Sequence, residues 1–414
     1  MRIAVIGTGI AGLGAAHVLA RAHDVEVFER QARAGGHSNT ILAPTADGRT
    51  LPLDTGFLVH NEPNYPNLLR LFAELGVRTQ DSDMSFSVSC RRCGIEYSGS
   101  RPFAQPTNAL RPSFLRMLRD TTRYLRTAKR ELDEGRLEGR TLAEYVRDGG
   151  YSREFQDHFL VPLTAALWSA SPGQTLEFPI AHAVRFYDHH RMLGFGRDRW
   201  RTVTGGSRTY VEAIVARLGE RVHLGAGVTA LARDADGVDV TTADGATRRF
   251  DAAVVAAHPD EALGFLVDPT DDERTILGAF PYNRNDTVLH TDERFLPRRL
   301  AARASWNYQL DDCRAAGHGA TLTYSLNRLQ ALDEPLEYCV TLNRTAEVSE
   351  HSVIERMVYE HPHFTVEGVR RQAEIPRIQG VRRTWFCGAW QGWGFHEDGL
   401  ASALRVTEAL GARW

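Results

Sequence analysis

The hydrophobic pattern of the chain begins with a short apolar run that leads into a glycine-rich turn. Residues 3–7 read Ile-Ala-Val-Ile-Gly, and consecutive apolar residues are typical of a parallel strand covered on both faces. Glycines recur over residues 7–14, small and apolar residues continue to Ala20, and a second apolar run covers residues 25–29. The pattern therefore predicts a strand, a tight turn, a helix and a second strand.

The predicted turn has the spacing GxGxxG, formed by Gly7, Gly9 and Gly12. Gly7 permits the tight turn, Gly9 lets the backbone approach a pyrophosphate, and Gly12 lets the helix pack closely on the strand. The helix N-terminus offers free N–H groups and a positive dipole end to phosphates. Glu29 ends the second strand 22 residues after Gly7, where it is placed to accept hydrogen bonds from ribose hydroxyls. This order predicts dinucleotide binding, with NAD and FAD both open at this point.

A second glycine pair separates the two cofactors. Residues 35–40 read Gly-Gly-His-Ser-Asn-Thr, and the pair allows the backbone to lie against the second half of a longer cofactor, while His37 can donate to a phosphate. The segment resembles the GGRxxT stretch of the FAD-dependent amine-oxidase and phytoene-desaturase superfamily, with His37 in place of the arginine. An NAD-dependent dehydrogenase is the alternative.

The resemblance recurs in two later segments. Residues 53–59, LDTGFLV, are similar to the family's DxG segment, whose backbone passes beside the isoalloxazine. Residues 384–389, TWFCGA, resemble its FAGE strand, and residues 394–403 resemble a helix whose N-terminus points at the pyrimidine edge of the flavin. Asp398 as a simple N-cap is the alternative at that helix. The resemblance implies non-covalent FAD, because residues 390–394 lack the cysteine to which covalent members attach it.

The same resemblance implies a set of FAD contacts. They are Gly7, Gly9, Ala11, Gly12, Glu29, Arg30, Gly36, His37, Gly56, Phe57, Leu58, Val59, Val228, Gly388, Asp398, Gly399 and Leu400.

The resemblance also implies an α/β fold class: a Rossmann-like FAD-binding domain of the two-dinucleotide-binding-domain type with an interleaved α+β substrate domain. We expect the FAD-binding domain to be discontinuous, over residues 1–75, 200–265 and 375–414, with the substrate domain at 76–199 and 266–374.

Composition narrows the possible partners. The 414 residues include 49 Lys+Arg and 52 Asp+Glu, a formal net charge of −3, which argues against a nucleic-acid partner. No apolar run reaches the roughly 20 residues of a membrane span, and the N-terminus lacks a secretory pattern. We therefore expect a cytoplasmic protein. Residues 114–132 are apolar on one helical face and basic on the others, which suggests peripheral contact with anionic lipid or, alternatively, an ordinary solvated helix.

The five cysteines suit reduced thiols better than a disulfide framework. Cys90 and Cys93 have CxxC spacing. A zinc site needs a second pair of ligands at workable spacing, and the sequence offers none, so we expect two ordinary thiols and no metal.

Within the superfamily, the chain resembles bacterial NAD/FAD-binding proteins encoded beside cyclopropane-fatty-acyl-phospholipid synthases. The likeness rests on residues 54–68, 200–211, 305–308, 327–330 and 394–400. It implies an FAD-dependent desaturase, oxidase or dehydrogenase that takes hydride from a hydrophobic, fatty-acyl substrate to flavin N5. The alternatives are a redox-neutral double-bond isomerase, an amine oxidase, and a flavin-bearing partner subunit of a lipid methyltransferase.

The catalytic side chains are not evident from the sequence. Amine-oxidising members of the superfamily commonly place a lysine, through water, at flavin N5, whereas the single lysine here, Lys129, lies in the arginine-rich helix. This disfavours amine oxidation. The candidates for the substrate pocket are His60, Asn61, Trp306 and Asn307.

Overall fold

A parallel five-stranded sheet is assembled from distant parts of the chain in this computed structural model, which describes residues 1–194, 198–313 and 321–414. Its strands, in spatial order, are Val222–His223, Asp24–Phe28, Arg2–Ile6, Ala252–Val255 and Thr384–Phe386. The central strand is buried from Ile3 to Ile6, as its unbroken apolar run predicts. Ile3 and Val5 face one hydrophobic cluster, and Ala4 and Ile6 face another. The α/β prediction is confirmed.

Helices cover one face of this sheet and a small second sheet lies over the other. The first layer contains the helices Ile10–Leu19, Pro66–Leu75, Arg208–Leu218 and His396–Ala409. The opposite layer contains the antiparallel strands Val228–Arg233, Val238–Thr242 and Thr247–Phe250 with the helices Pro259–Phe265 and Asp271–Leu277. Both faces are apolar because each must bury its side chains against a neighbouring layer.

A mixed seven-stranded sheet forms the centre of the second region. Its strands, in spatial order, are Val353–Pro362, Tyr282–His290, Cys339–Leu342, Thr321–Ser325, Trp306–Leu310, Phe86–Cys90 and Glu96–Ser98. Neighbours are antiparallel except Trp306–Leu310 and Phe86–Cys90, which run parallel. Two smaller sheets pair Thr40–Pro44 with Thr50–Asp54, and His60–Asn61 and Thr79–Asp81 with Trp200–Val203.

Helices pack around the seven-stranded sheet. They are Pro112–Asp133, Leu142–Asp148, Arg153–Phe155, Val161–Trp168, Pro172–Leu176, Ile180–His189, Leu326–Leu329 and Val366–Gln372, with a π turn at Gln156–Leu160. Short 3₁₀ turns lie at Pro106–Leu110, Gly219–Arg221, Glu293–Phe295, Leu300–Ala302, Thr345–Glu347, Glu350–Ser352, Ile375–Ile378, Val381–Arg383 and Ala389–Gln391. Among the helices of the described residues, none is long and apolar enough to cross a membrane.

The basic helix Pro112–Asp133 packs its apolar face into the protein. Phe114, Met117 and Tyr124 are buried, and several cations form ion pairs, such as Arg116 with Glu154 and Lys129 with Asp188. Contact with a membrane surface stays a prediction.

The chain passes repeatedly between the two regions. All five strands of the parallel sheet fall within the ranges 1–75, 200–265 and 375–414. Strand Thr79–Asp81, however, pairs with Trp200–Val203 across a proposed boundary. The exact domain boundaries therefore stay a prediction.

Candidate functional site

A cavity of about 1420 Å³ opens at the carboxyl ends of the parallel strands and extends to the seven-stranded sheet. Gly7, Glu29, Ala256 and Gly388 follow four of the five strands and line the cavity. Ligands of open α/β sheets bind at this edge.

The glycine turn forms one end of the cavity, and its three glycines meet different steric demands. Gly7 has φ of +103°, and a Cβ there would lie 2.8 Å from the Ala256 carbonyl oxygen. A Cβ at Gly12 would lie 2.0 Å from the Gly7 oxygen, so this glycine permits the helix to pack on the strand. No described atom lies within 4 Å of a Cβ built at Gly9, which lines the cavity. The turn is open to a ligand at Gly9.

The helix Ile10–Leu19 begins at this opening. Gly9 is its N-cap, and neither a capping side chain nor an acidic residue in the first turn is found among the described residues. Ile10 and Ala11 line the cavity. The free N–H groups and dipole of this turn therefore favour an anion.

Glu29 is buried on the cavity wall and fixed in orientation. Its Oε2 accepts from the Thr8 backbone N–H at 3.0 Å, and its Oε1 accepts from that of Gln31 at 2.8 Å. The carboxylate keeps lone pairs for further donors. Arg30 also lines the cavity and pairs with Glu261, and Val228 lies on the same wall.

Gly36 and His37 lie directly against the turn. A Cβ at Gly36 would lie 3.1 Å from Gly9 Cα. His37 stacks on Tyr359 with ring centroids 5.0 Å apart, and burial, with nearby histidines, holds the pKa of His37 well below its usual range. The imidazole is therefore neutral near pH 7.

A nearby arginine can supply the positive charge that His37 lacks. Arg33 lines the cavity and donates through Nη2 to the Gly36 carbonyl oxygen at 2.9 Å. Its Nη1 is buried and has no hydrogen-bond partner within residues 1–194, 198–313 and 321–414. Sequence reasoning missed Arg33 because it lies outside the GGRxxT-like stretch, although its position just before Gly35 is the signal that was available.

Residues 56–59 line the next part of the cavity. A Cβ at Gly56 would lie 2.2 Å from the His37 carbonyl oxygen, so this position requires the glycine. Phe57 donates through its N–H to the same oxygen at 2.9 Å, and its ring stacks on His396 at 3.8 Å. Burial lowers the pKa of His396 to about 3, so this ring is also neutral. The Ser38 hydroxyl lies 3.0 Å from His396 Nε2.

The C-terminal segment meets the N-terminal helix behind the cavity wall. A Cβ at Gly399 would lie 3.0 Å from Ile10 Cγ2. Leu400 is fully buried and packs on Gly14. Asp398 caps the helix by accepting from the Phe395 N–H at 2.9 Å, and burial raises its pKa to about 7. Among the predicted cofactor contacts, Gly12, Asp398, Gly399 and Leu400 do not line the cavity, whereas Gly388 does.

The four pocket candidates occupy different environments. Trp306 lines the cavity, whereas His60, Asn61 and Asn307 do not. Asn307 lies on the opposite face of its strand, where its amide bonds the backbone of Ala304 and Thr323. His60 is fully buried beside Phe57 and Phe72, and burial lowers its pKa to about 4.

The end of the cavity away from the glycine turn is largely apolar. Its wall contains Met84, Phe86, Leu125, Leu163, Ala166, Leu167, Phe186, Trp306 and Tyr324. Two ion pairs also line the cavity: the exposed Asp81 pairs with Arg199 at 2.7 Å, and Asp198, whose side chain is largely buried, lies 3.4 Å from Arg191.

Comparison with known sequences identifies the family. Residues 10–320 match the family described as flavin containing amine oxidoreductase. The chain belongs to this family. Its cofactor is FAD, in agreement with the sequence prediction. A Mycobacterium tuberculosis protein that bears the name of a flavin-containing monoamine oxidase, AofH, is 31% identical over 289 residues, which are 64% of this chain and 59% of that protein. The chain thus spans less than two thirds of this curated relative.

Solved structures of other proteins share the fold. A fatty acid isomerase from P. acnes, described as CLA-producing, superimposes with a TM-score of 0.70 at 18% identity, covering 99% of this chain and 98% of its own. Putrescine oxidase bound to putrescine superimposes with a TM-score of 0.72 at 15% identity, covering 100% of both chains. At these identities the likeness concerns the fold alone.

Proposed function

We propose that this flavoprotein is an oxidoreductase that removes hydride from a carbon of a hydrophobic substrate of the fatty-acyl class. The observation that carries the proposal is the apolar wall at the end of the cavity away from the glycine turn, which includes Met84, Trp306 and Tyr324. Burial of apolar surface contributes roughly 25 cal/mol per Å², so an acyl chain gains affinity along this wall. A polar or charged substrate loses hydration along this wall, whose side chains are mostly apolar.

The FAD-binding residues support a non-covalent cofactor. Gly9 leaves room for a pyrophosphate, the uncapped first turn of Ile10–Leu19 faces it, and Arg33 adds a cation. Glu29 has lone pairs for ribose hydroxyls. No cysteine is found among the described residues that line the cavity. Bound FAD supplies the hydride-accepting atom, and the chain holds the substrate against it and excludes water.

Amine oxidation is the second candidate function, and the family name favours it. Two observations weigh against it. The single lysine, Lys129, does not line the cavity and pairs with Asp188 at 2.8 Å. The exposed carboxylate of Asp81, which lines the cavity, is paired with Arg199 and Arg201, so it attracts an ammonium group less strongly.

The predicted double-bond isomerase uses the same apolar wall. An isomerase returns the hydride to the substrate, whereas net oxidation does not. The two reactions are therefore distinguished by whether the flavin stays reduced in the absence of oxygen. The predicted lipid methyltransferase partner is a further proposal that rests on the family resemblance.

The test is anaerobic mixing of the purified holoprotein with sodium oleate, sodium linoleate, a dioleoyl phospholipid in detergent, putrescine or cyclohexylamine, followed by flavin absorbance and product analysis. Lasting bleaching with an acyl substrate and none with the amines supports the proposal. Transient bleaching with a shifted double bond makes the protein an isomerase. Bleaching by an amine alone overturns the acyl assignment.

A cavity variant provides the matched control. Ala166 is buried on the apolar wall, in helix Val161–Trp168, and Ala166→Trp fills that space. Leu110→Trp adds the same ring at a position that is 84% exposed. We expect bleaching by the acyl substrate to be lost only in Ala166→Trp, with the flavin spectrum retained in both.

A further inference from the structure

Four metal-binding side chains converge outside the cofactor cavity. They are Cys90, Cys93, His158 and Cys313, and their candidate ligand atoms all lie within 4.8 Å of one another. Cys93 Sγ lies 3.4 Å from His158 Nε2. Around tetrahedral zinc, with bonds of about 2.3 Å to sulfur and 2.0 Å to nitrogen, neighbouring ligand atoms lie roughly 3.4–3.8 Å apart. The cluster thus has nearly the spacing of a zinc site.

A tight turn brings the first two thiols to the same side of the chain. Cys90 ends strand Phe86–Cys90, and Gly94, with φ of +65°, donates through its N–H to the Cys90 carbonyl oxygen at 2.9 Å. The Cys90 N–H in turn donates to the Ile95 oxygen at 2.9 Å. A left-handed residue here favours glycine, so the sequence CRRCG specifies this turn.

The third thiol, Cys313, follows the end of the neighbouring parallel strand Trp306–Leu310. Leu310 lies opposite Cys90 in the register of the sheet, and the backbone of Arg91 donates to the Leu310 oxygen at 2.8 Å. Arg92 continues the pairing to the Asp311 oxygen at 3.1 Å. These bonds hold the segment that carries Cys313 beside the turn.

The imidazole comes from the helical layer. His158 lies in the π turn Gln156–Leu160, and its carbonyl oxygen accepts from the Tyr97 hydroxyl at 2.6 Å. π turns inside helices occur frequently at functional sites. The expectation that Cys90 and Cys93 lack further candidate ligands is therefore wrong: His158 is 65 residues from Cys93 in sequence, and the fold supplies the second pair.

We infer that Cys90, Cys93, His158 and Cys313 bind one zinc ion in a structural Cys₃His site. Zinc takes thiolate and imidazole ligands in closed tetrahedral sites. Three thiolates and one Zn²⁺ leave a single negative charge, and Arg111 lies close by, donating through Nη1 to the Cys93 oxygen at 2.9 Å.

The zinc site stabilises the wall of the cavity from a distance. Phe86 and Trp306 begin the strands Phe86–Cys90 and Trp306–Leu310 and line the cavity, while the cluster lies at the other ends. Five strand residues span roughly 13 Å. The ion joins the turn, the neighbouring strand and the helical layer in one linkage, so we assign it a structural role.

The test is metal analysis of the full chain, purified without a metal-affinity resin and without chelators. We expect inductively coupled plasma mass spectrometry to find about one zinc ion per chain. Cys93→Ala and Cys313→Ala should fall well below half occupancy, whereas the matched control Cys339→Ala, which removes a buried thiol from another strand, should keep its zinc. The flavin spectrum reports folding independently of any activity.

Cobalt substitution decides the matter even when a variant fails to fold. The parent chain, stripped and reloaded with Co²⁺, should show thiolate-to-cobalt charge transfer and intense tetrahedral bands. Three results overturn the proposal. The first is a parent chain that shows only the spectrum of aqueous cobalt, and the second is an unchanged zinc content in both cluster variants. The third is a parent chain without zinc in which intact mass detects a Cys90–Cys93 disulfide.

Discussion

Gly399 packs against Ile10, so that the first turn of the C-terminal helix meets the first turn of the N-terminal helix. A Cβ at Gly399 would lie 3.0 Å from Ile10 Cγ2, and a Cβ at Gly14 would lie 2.4 Å from Leu400 Cδ1. The two ends of the chain therefore form one wall beside a single cavity. This contact ties the resemblance at residues 394–403 to the glycine turn, since both segments must be close to serve one cofactor.

Substitutions in the glycine turn should separate cofactor binding from folding. Gly9→Val places a side chain in the open cavity, so we expect loss of bound flavin with the apoprotein's free energy of unfolding nearly unchanged. The Gly12→Val side chain collides with the Gly7 carbonyl group, so we expect the free energy of unfolding to fall by roughly 1–3 kcal/mol or more. Flavin absorbance and urea unfolding of both variants measure the two effects. Equal destabilisation by the two changes would contradict the assignment.

Arg33 should contribute more to FAD affinity than His37. Within the described part of the chain Arg33 Nη1 has no hydrogen-bond partner, whereas His37 is neutral. Hydrogen bonds to charged groups contribute roughly 1.5–3 kcal/mol, so Arg33→Ala should raise the FAD dissociation constant about 10- to 100-fold. His37→Ala should raise the FAD dissociation constant less and should leave the salt dependence of that constant unchanged. Fluorescence titration of the apoprotein at two salt concentrations measures this, and the reverse order of effects counts against Arg33.

Acid should destabilise the protein partly through His182. This residue is buried against Phe364, and burial lowers its pKa to about 3, below the unfolded value of about 6.5. Because the unfolded state binds the proton more tightly, stability is present above pH 6.5 and is lost as the pH falls. When the pH falls from 6.5 to 5.5, we expect the free energy of unfolding of His182→Leu to decrease by about 1 kcal/mol less than that of the parent.

Urea unfolding of the apoprotein at the two pH values checks the His182 prediction. The exposed His351→Leu is the control, and it should follow the parent. An identical loss in His182→Leu and the parent would mean that the His182 imidazole is solvated.

The features that the sequence predicted are those encoded locally. The strand at residues 3–7, the GxGxxG turn and Glu29 lie within one short segment, and each residue type has a steric or hydrogen-bonding reason that needs no distant partner. The strands Val222–His223 and Val228–Arg233 show the limit, because they lie close together in sequence but the first joins the edge of the parallel sheet and the second joins the separate antiparallel sheet. Periodicity indicates strands but does not assign them to sheets.

The side of a strand that faces the cavity was not predictable. Trp306 and Asn307 are adjacent, and successive side chains point to opposite faces, so only one of them was able to line the cavity. Every residue of strand Trp306–Leu310 is buried, which removes the usual polar and apolar alternation. The CxxC spacing of Cys90 and Cys93 was visible, but nothing local indicated that His158 and Cys313 join them, because this depends on the packing of a strand end against a helical layer.

The strand Arg2–Ile6 pairs with Asp24–Phe28 and with Ala252–Val255, and the edge strand Thr384–Phe386 pairs in turn with Ala252–Val255. During synthesis, the first strand therefore gains its second neighbour only after Ala252–Val255 has been translated, and the sheet is complete only after Thr384–Phe386 has been translated. Loop-closure entropy of this size slows folding, and the early segments expose apolar surface meanwhile. Chaperone binding to the nascent chain is a natural consequence of that delay.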